Sequence, residues 1–462
     1  MGGRDGDGDG DGAKKCARTD ARTDAGDSSI DERRGDEARA RGDGVTAREA
    51  YEACVTRARD GESVSSAAFV KWSLMSRATR LERLDDDDAF ENALRDGLEV
   101  AMGECTKARP NAALEEIGRD KRLRAVGGQL ALLLCQRGED EDARNLLQFM
   151  GFTHRLGRDV LRYASSPVEA CAEASKDADD VVRAFDDALD AETLRFLRGA
   201  FARYQTREDR SFWRAHDYFR PTTGFFSYVH RLGDEAPENV MDVVVERVRE
   251  IASLAFPRVK TARFAEWWAH ARPHSDGHQL HFDSHDEGVG GVKHPICSAI
   301  VYVDGECGGP TLVTNQRDEK SPKLASCGWL LYPKTGRVGV FHGDYLHGVV
   351  PGRAVDVVSD DDALAARHRV TLMIAFWADM EVHSTWRPAG SARPFPPADA
   401  PVKWRAGFEF ASSSGPERFP SRAASATRAA PVPVRNVWQR VDDETIAEDD
   451  PIPSYDACFQ GF

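Results

Sequence analysis

Residues 277–283 read Gly-His-Gln-Leu-His-Phe-Asp, and the expected fold follows from this short stretch. His281 and Asp283 are separated by one residue, so on an extended strand both side chains point to the same face. An imidazole and a carboxylate that share a face can hold the same metal ion. The stretch therefore predicts two ligands of a metal site at the end of a β-strand.

A third candidate ligand lies further along the chain. His347 is part of residues 343–352, which read Gly-Asp-Tyr-Leu-His-Gly-Val-Val-Pro-Gly. Two histidines and one carboxylate on one face of a metal form a facial triad, which leaves positions open for a bidentate co-substrate and O2. The sequence therefore predicts His281, Asp283 and His347 as metal ligands and catalytic residues. His342 is the weaker alternative, because the Gly-Val-Val-Pro-Gly run follows His347 instead.

A candidate site for a carboxylate comes after the last histidine. Arg369 opens a late strand, and its planar guanidinium can bind a carboxylate through two N–H groups. Thr371 lies on the same strand face, where its hydroxyl can add a hydrogen bond. Tyr302, on an earlier strand, can either hydrogen-bond the co-substrate or fill the core. We expect Arg369, Thr371 and Tyr302 to bind the co-substrate.

In this order, the motifs resemble those of the 2-oxoglutarate/Fe(II)-dependent dioxygenase superfamily, and specifically its prolyl 4-hydroxylase-like branch. Residues 299–303, Ala-Ile-Val-Tyr-Val, followed by Gly308-Gly309-Pro310-Thr311, also resemble the strand, turn and strand of that family. The resemblance covers about residues 256–379.

The resemblance implies an α+β fold, with a double-stranded β-helix, or jelly roll, as the catalytic domain. It implies that His281, Asp283 and His347 hold Fe(II) and that Arg369 holds 2-oxoglutarate. O2 is the oxidant, and ascorbate is a candidate reductant. The expected reaction is hydroxylation of a protein side chain, prolyl included, or of a small molecule, with release of succinate and CO2.

The chain divides into four parts by composition. Residues 1–45 are rich in Gly, Asp and Arg and poor in apolar side chains, so we expect a disordered tail. Residues 46–190 show helical spacing of apolar residues and predict a helical module. Residues 191–380 predict the dioxygenase domain, with its core at 256–379, and residues 381–462 predict a mostly irregular extension. Tryptophans in that extension are candidate anchors on the catalytic domain: Trp386, Trp404 and Trp438.

Short β-rich runs separated by turn signals fill the predicted core. The predicted strands are Arg263–Ala271, Ser298–Val303, Thr311–Thr314, Trp329–Tyr332, Val338–His342 and Arg369–Trp377. Side chains near the first motif are expected to pack rather than bind. His278 lies three positions before His281 and should point to the opposite strand face. Trp267 and Trp268 can line the cavity or pack the sheet, and packing is the favoured role.

Composition excludes several classes of partner. The net charge of −15 disfavours nucleic acid, because duplex binding requires Lys and Arg to neutralise phosphates. The nine cysteines form no CxxC pair. The N-terminus carries no apolar signal sequence, and no run reaches the ~18 apolar residues of a membrane span. We expect a soluble intracellular protein, in the cytoplasm, with no membrane partner; the oligomeric state stays open.

Two other functions are compatible with the sequence. The first is a catalytically silent jelly-roll module whose N-terminal helices recruit a partner. The second is a zinc hydrolase, although the chain has no HExxH motif and no evident general base. The substrate itself cannot be read from the sequence, because the cavity walls are loops.

Overall fold

The computed structural model describes residues 30–41, 43–79, 88–164, 181–202, 211–218, 226–233, 236–285, 292–305, 308–319, 322–353, 368–380, 382, 392–395, 403–410, 426–442, 445–446 and 450–462. The helices are α1 (Ile30–Ala40), α2 (Gly44–Arg59), α3 (Ser66–Thr79), α4 (Asp88–Ala108), α5 (Leu114–Gly118), α6 (Lys121–Arg137), α7 (Asp140–Phe149), α8 (Arg158–Leu161), α9 (Ala191–Ala200), α10 (Phe212–Ala215) and α11 (Val240–Ala255). No helix in these ranges combines the length and apolar character that a bilayer span requires.

Helix α6 is the centre of the N-terminal helical region. Its first turn is capped by Asp120, whose side chain accepts a hydrogen bond from the backbone N–H of Arg122. It ends at Gly138, where a φ of 95° favours glycine. The helix packs against α3, α4 and α7, and its apolar residues are buried in one core with the outer face of a β-sheet. The predicted helical region therefore packs on the sheet as part of the same core.

The predicted disordered tail, residues 1–45, is too long at its C-terminal end. Residues 1–29 lie outside the described residues, but helices α1 and α2 occupy most of the remainder. Helix α1 is polar and is held by tertiary contacts, since Asp36 pairs with Lys71 at 2.7 Å and accepts a hydrogen bond from the Tyr51 hydroxyl at 2.8 Å. A pattern of apolar residues could not reveal a helix that is held by polar contacts.

The strands form a large sheet, a small sheet and a short three-stranded sheet. They are β1 (His154–Leu156), β2 (Val182–Asp186), β3 (Ser227–Arg231), β4 (Phe264–Pro273), β5 (His278–His281), β6 (Cys297–Asp304), β7 (Thr311–Arg317), β8 (Cys327–Leu331), β9 (Val338–Phe341), β10 (Tyr345–Val349), β11 (His368–Trp377), β12 (Ala392–Pro394), β13 (Thr427–Ala429), β14 (Val432–Arg435), β15 (Trp438–Arg440) and β16 (Cys458–Phe459). The large sheet has the order β12-β3-β4-β11-β6-β9-β2-β13, the small sheet β14-β8-β7-β10-β5, and the third β15-β1-β16.

The large and small sheets face each other across an apolar core. Ile300 and Met373 of the large sheet share that core with Val313 and Trp329 of the small sheet. Helices α9 and α11 cover the other face of the large sheet, and the N-terminal helices cover the other face of the small sheet. The chain is thus a mixed α and β protein, as predicted, and the six strands predicted between residues 263 and 377 are all present.

Two predicted boundaries of the β-region are wrong. Strand β2 precedes residue 191, yet it extends the large sheet, with Val182 opposite Phe341 of β9. The extension 381–462 supplies β12 and β13 to the large sheet, β14 to the small sheet, and β15 and β16 to the third. These segments are short, and their pairing partners lie far away in the chain, so local alternation did not reveal them.

The tryptophans occupy core positions. Trp267 is fully buried beneath the helices, as predicted, whereas Trp268 faces the space between the large and small sheets. Trp404 packs edge-on against Phe212, and Trp438 is buried with the N-terminal helices. Trp386 lies outside the described residues.

Candidate metal centre

Strand pairing brings the three predicted ligands together. His281 ends β5 and lies directly opposite His347 of β10, with ring centroids 4.4 Å apart. Asp283 lies two residues after His281, just beyond the end of the strand. One ligand atom from each of the three residues lies within 4.8 Å of the others. His342, the alternative candidate, packs its ring on Phe256 instead, 4.4 Å away between centroids.

Backbone carbonyls orient both imidazoles. The Nδ1 atom of His281 lies 2.9 Å from the Gln279 carbonyl oxygen, and that of His347 lies 3.0 Å from the Tyr345 carbonyl oxygen. Because a carbonyl only accepts, each Nδ1 carries the proton and each Nε2 keeps a free lone pair. The two Nε2 atoms lie 3.6 and 3.7 Å from Oδ1 of Asp283.

The donor atoms of His281, Asp283 and His347 are arranged as a bound metal ion would require. The Nε2 atom of His347 is buried and has no hydrogen-bond partner among the described residues. A buried polar atom without a partner is costly unless something else satisfies it. Two lone pairs and a carboxylate oxygen converge on one point, and the opposite ring nitrogens are fixed by hydrogen bonds, as is typical of metal-bound histidines. The donor set fits a divalent transition metal.

Ser298 orients the carboxylate of Asp283. Its hydroxyl donates a 2.5 Å hydrogen bond to Oδ2 of Asp283, which leaves Oδ1 to face the histidines. Burial alone would raise the pKa of Asp283, but His347, His281 and Ser298 together hold it below its ordinary value. Burial lowers the pKa of His347 to about 4, so its ring is neutral near pH 7. Ser298 was not singled out from the sequence.

His278 does not point away from the site as predicted. It lines the cavity, with its ring centroid 4.6 Å from that of His281. The reason is a register shift: His347 pairs with His281, but Val349 pairs with His278, so β5 carries one extra residue between the pairs. Such a bulge cancels the strict alternation on which the prediction depended.

A cavity of about 260 Å³ opens beside the candidate ligands. It is lined by Glu266, Trp268, His270, Arg272, His278, His281, Phe282, Asp283, Ser284, Ile300, Thr311, His347, Gly348, Val349, Arg369, Thr371, Met373 and Trp377. Alternate residues of β4 supply one wall, from Glu266 to Arg272. The sequence did not lead us to predict the polar residues of this wall as cavity-lining. Their spacing in steps of two along a strand does indicate that they share one face.

Arg369 and Thr371 lie on the cavity wall, where they were predicted to act. Arg369 is buried, and its Nη1 donates to the Gly309 carbonyl oxygen at 2.6 Å. It lies opposite Arg272 in the pairing of β11 with β4. Arg272 in turn donates to the Gly277 carbonyl oxygen at 3.4 Å. Two guanidinium groups therefore make this end of the cavity cationic.

Tyr302 lies behind the cavity wall. Its hydroxyl is buried and hydrogen-bonds the Thr311 hydroxyl at 2.9 Å and the Leu331 carbonyl oxygen at 3.2 Å. Thr311 lines the cavity, whereas Tyr302 is absent from the lining. The structure therefore gives Tyr302 a core position, one hydrogen bond away from the cavity, and its binding of the co-substrate stays a prediction.

The solved structures that this chain is similar to include prolyl hydroxylases and 2-oxoglutarate-dependent Fe(II) oxygenases. A prolyl-4-hydroxylase from Pseudomonas putida is 15% identical, with 47% of this chain and 99% of that chain covered and a TM-score of 0.28. An oxygenase of the 2OG-Fe(II) family from Burkholderia pseudomallei is 14% identical, with 50% and 97% covered and a TM-score of 0.27. HygX from Streptomyces hygroscopicus, with nickel and 2-oxoglutarate bound, is 14% identical, with 48% and 95% covered and a TM-score of 0.28. No family model matches the chain, and no curated protein matches it significantly.

Proposed function

We propose that this protein is an Fe(II)- and 2-oxoglutarate-dependent dioxygenase, built on a double-stranded β-helix formed by the large and small sheets. The observation that carries the proposal is the convergence of three prepared donor atoms. The Nε2 atoms of His281 and His347 both face Oδ1 of Asp283, and the remaining polar atoms of these side chains have protein partners.

This donor set suits iron better than a structural zinc ion. Two imidazoles and one carboxylate occupy one face of a metal and leave the opposite face to a chelating co-substrate and O2. Structural zinc sites are closed by four protein ligands, often with cysteine, and the described residues offer no fourth ligand in this cluster. When bound, iron and 2-oxoglutarate together supply O2 activation, with succinate and CO2 as co-products of substrate hydroxylation.

The chain's own residues hold the co-substrate and exclude water. Arg369 would bind the distal carboxylate of 2-oxoglutarate through its planar fork, and Thr371, two residues along the same face, would add a hydroxyl. Ile300, Met373 and Trp268 pair across β6, β11 and β4 and form an apolar part of the cavity wall. Apolar side chains keep water out and lower the local dielectric constant, which strengthens the charge interactions within the cavity.

The substrate is a protein side chain, with a prolyl residue among the candidates, or a small molecule. The competing function, a silent module that recruits a partner through its N-terminal helices, gives no reason for Ser298 and two backbone carbonyls to orient the three donors. A zinc hydrolase would use the same three ligands with a zinc-bound water, so the bound metal and the type of turnover distinguish it from an oxygenase. Ascorbate would act only as an external reductant, so the cavity needs no site for it.

The test is formation of succinate from 2-oxoglutarate by the purified protein with Fe(II) under ¹⁸O2. We expect slow turnover without substrate and one ¹⁸O atom in each succinate. Asp283→Ala should abolish it, and His342→Ala should not, because the His342 ring packs on Phe256 outside the donor cluster. Succinate formation that is equal in wild type and Asp283→Ala, or that requires no iron, contradicts the proposal. Zinc bound one to one with hydrolytic turnover would favour the hydrolase.

A further inference from the structure

The cavity carries one acidic side chain that the proposed metal site does not use. Its lining includes two carboxylates, Asp283 and Glu266. Asp283 faces the two histidines and accepts from Ser298. Glu266 lies on β4 with 9% of its surface exposed, and one of its oxygens accepts a 2.5 Å hydrogen bond from the Ser227 hydroxyl.

The two ends of the cavity differ in charge. On β4, Arg272 lies opposite Arg369, and Glu266 lies opposite Ala375, six residues away along the strand. At about 3.3 Å per residue, the acidic and cationic ends are roughly 20 Å apart along the backbone. A dicarboxylate co-substrate belongs at the arginine end, where its charge is balanced. The Glu266 end is left for the substrate.

The walls beside Glu266 suit a cation. Trp268, Met373 and Trp377 line the same cavity and are each at least nine-tenths buried. Indole rings attract cations through their quadrupole, and the attraction grows as water is removed. A buried carboxylate is costly unless a charge or several hydrogen bonds compensate it. Burial and the nearby Asp283 charge raise the pKa of Glu266 to about 7, against the opposing effect of the hydrogen bond from Ser227.

We propose that the substrate presents a cationic nitrogen, as an alkylammonium or related amine, to Glu266 between Trp268 and Trp377. This inference rests on the proposed function, because it assigns the arginine end to 2-oxoglutarate and the remaining end to the substrate. Glu266 is then the residue that selects basic substrates over neutral ones. An amine held there lies beside the candidate metal ligands, because Glu266 lies opposite Ala375 of β11, and Ala375 lies opposite Ser298, whose hydroxyl holds Asp283.

The experiment titrates the full-length protein with n-butylammonium and with n-butanol, its neutral counterpart, and follows tryptophan fluorescence. The titration is run on metal-free protein and repeated anaerobically with Fe(II) and 2-oxoglutarate. Glu266→Gln and Asp283→Asn neutralise the two carboxylates of the cavity by matched changes. We expect wild type to prefer the ammonium at least tenfold, Glu266→Gln to lose that preference, and Asp283→Asn to keep it.

Equal affinity for the ammonium and the alcohol, or no ammonium binding at millimolar concentration, overturns the inference. Loss of ammonium binding in Asp283→Asn but not in Glu266→Gln also overturns it, because the cation would then occupy the metal position. If Glu266→Gln fails to fold, Glu266→Asp decides: it keeps the charge and should keep the preference. Because binding to the metal-free protein needs no iron chemistry, failure here is separable from failure of the proposed oxygenase activity.

Discussion

The side-chain oxygen of Gln460 accepts a 2.8 Å hydrogen bond from the backbone N–H of Leu280, 180 positions earlier in the chain. Leu280 belongs to β5, the strand that ends in His281 and forms one edge of the small sheet. An unpaired edge strand is a weak place to hold a metal ligand. The C-terminal segment therefore supports the strand that positions His281.

Gln460→Ala should weaken metal binding as well as stability. The buried N–H of Leu280 would lose its partner, which costs about 1–3 kcal/mol. The measurement is chemical unfolding together with Mn²⁺ affinity by calorimetry. Gln439→Ala is the matched control, because Gln439 accepts from the backbone N–H of Arg158, away from β5. An equal loss of Mn²⁺ affinity in both variants would contradict a specific role for Gln460.

Ser298→Ala should reduce metal affinity about 10- to 100-fold, the range typical of residues that orient a metal ligand. Without the Ser298 hydroxyl, Asp283 would lose the hydrogen bond that turns Oδ1 towards the histidines. Ser73→Ala removes another buried hydroxyl, which donates to the Val70 carbonyl oxygen in α3. Calorimetric titration with Mn²⁺ should separate the two variants, and unchanged affinity in Ser298→Ala would refute the prediction.

Arg369→Ala should weaken 2-oxoglutarate binding on the order of 100-fold, since removing one partner of a buried charge pair costs about 2–5 kcal/mol. Arg369→Lys should recover part of the affinity, because the charge remains but the planar fork is lost. The exposed Arg263, paired with Asp379, provides a control through Arg263→Ala. Equilibrium binding of 2-oxoglutarate to the Mn²⁺-loaded protein gives the comparison. Equal binding in Arg369→Ala and wild type would place the carboxylate elsewhere, with Arg272 the next candidate.

Glu266 should make stability fall as pH rises. Its pKa is raised from 4.5 to about 7 in the folded metal-free protein, so the folded state binds more protons than the unfolded state between these values. The stabilisation is complete below pH 4.5 and is lost as pH rises through 7. Relative to Glu266→Gln, wild type should lose on the order of 3 kcal/mol across this window. Urea unfolding at several pH values measures it, with the exposed Glu250→Gln as control; a difference that does not change with pH contradicts the prediction.

The cluster of candidate metal ligands could be predicted because its chemistry is local. His281 and Asp283 share a strand face by spacing alone, and His347 follows in a strand of its own. Ser298 and Glu266 could not be found in this way, because their positions depend on which strands pair and in which register. His278 was misplaced because a bulge in β5 is invisible to alternation.

The strands of the core were predictable for a similar reason. Runs such as those of β6 and β11 are apolar and β-branched, and turn signals separate them. Strands β2 and β14 are short and gain their stability from partners far along the chain, so their local sequences carry little signal. Helix α1 is polar and depends on Lys71 and Tyr51, which no periodicity links to it.

The central claim is best tested by anaerobic absorption spectroscopy, which needs no knowledge of the substrate. Fe(II) and 2-oxoglutarate are added to the purified protein without O2, and the visible region is examined for a metal-to-ligand charge-transfer band. The proposed site predicts a band that requires both additions, disappears in His281→Ala and Asp283→Ala, and persists in His342→Ala. Absence of the band in folded wild-type protein that binds one equivalent of Fe(II) would contradict the proposed oxygenase site.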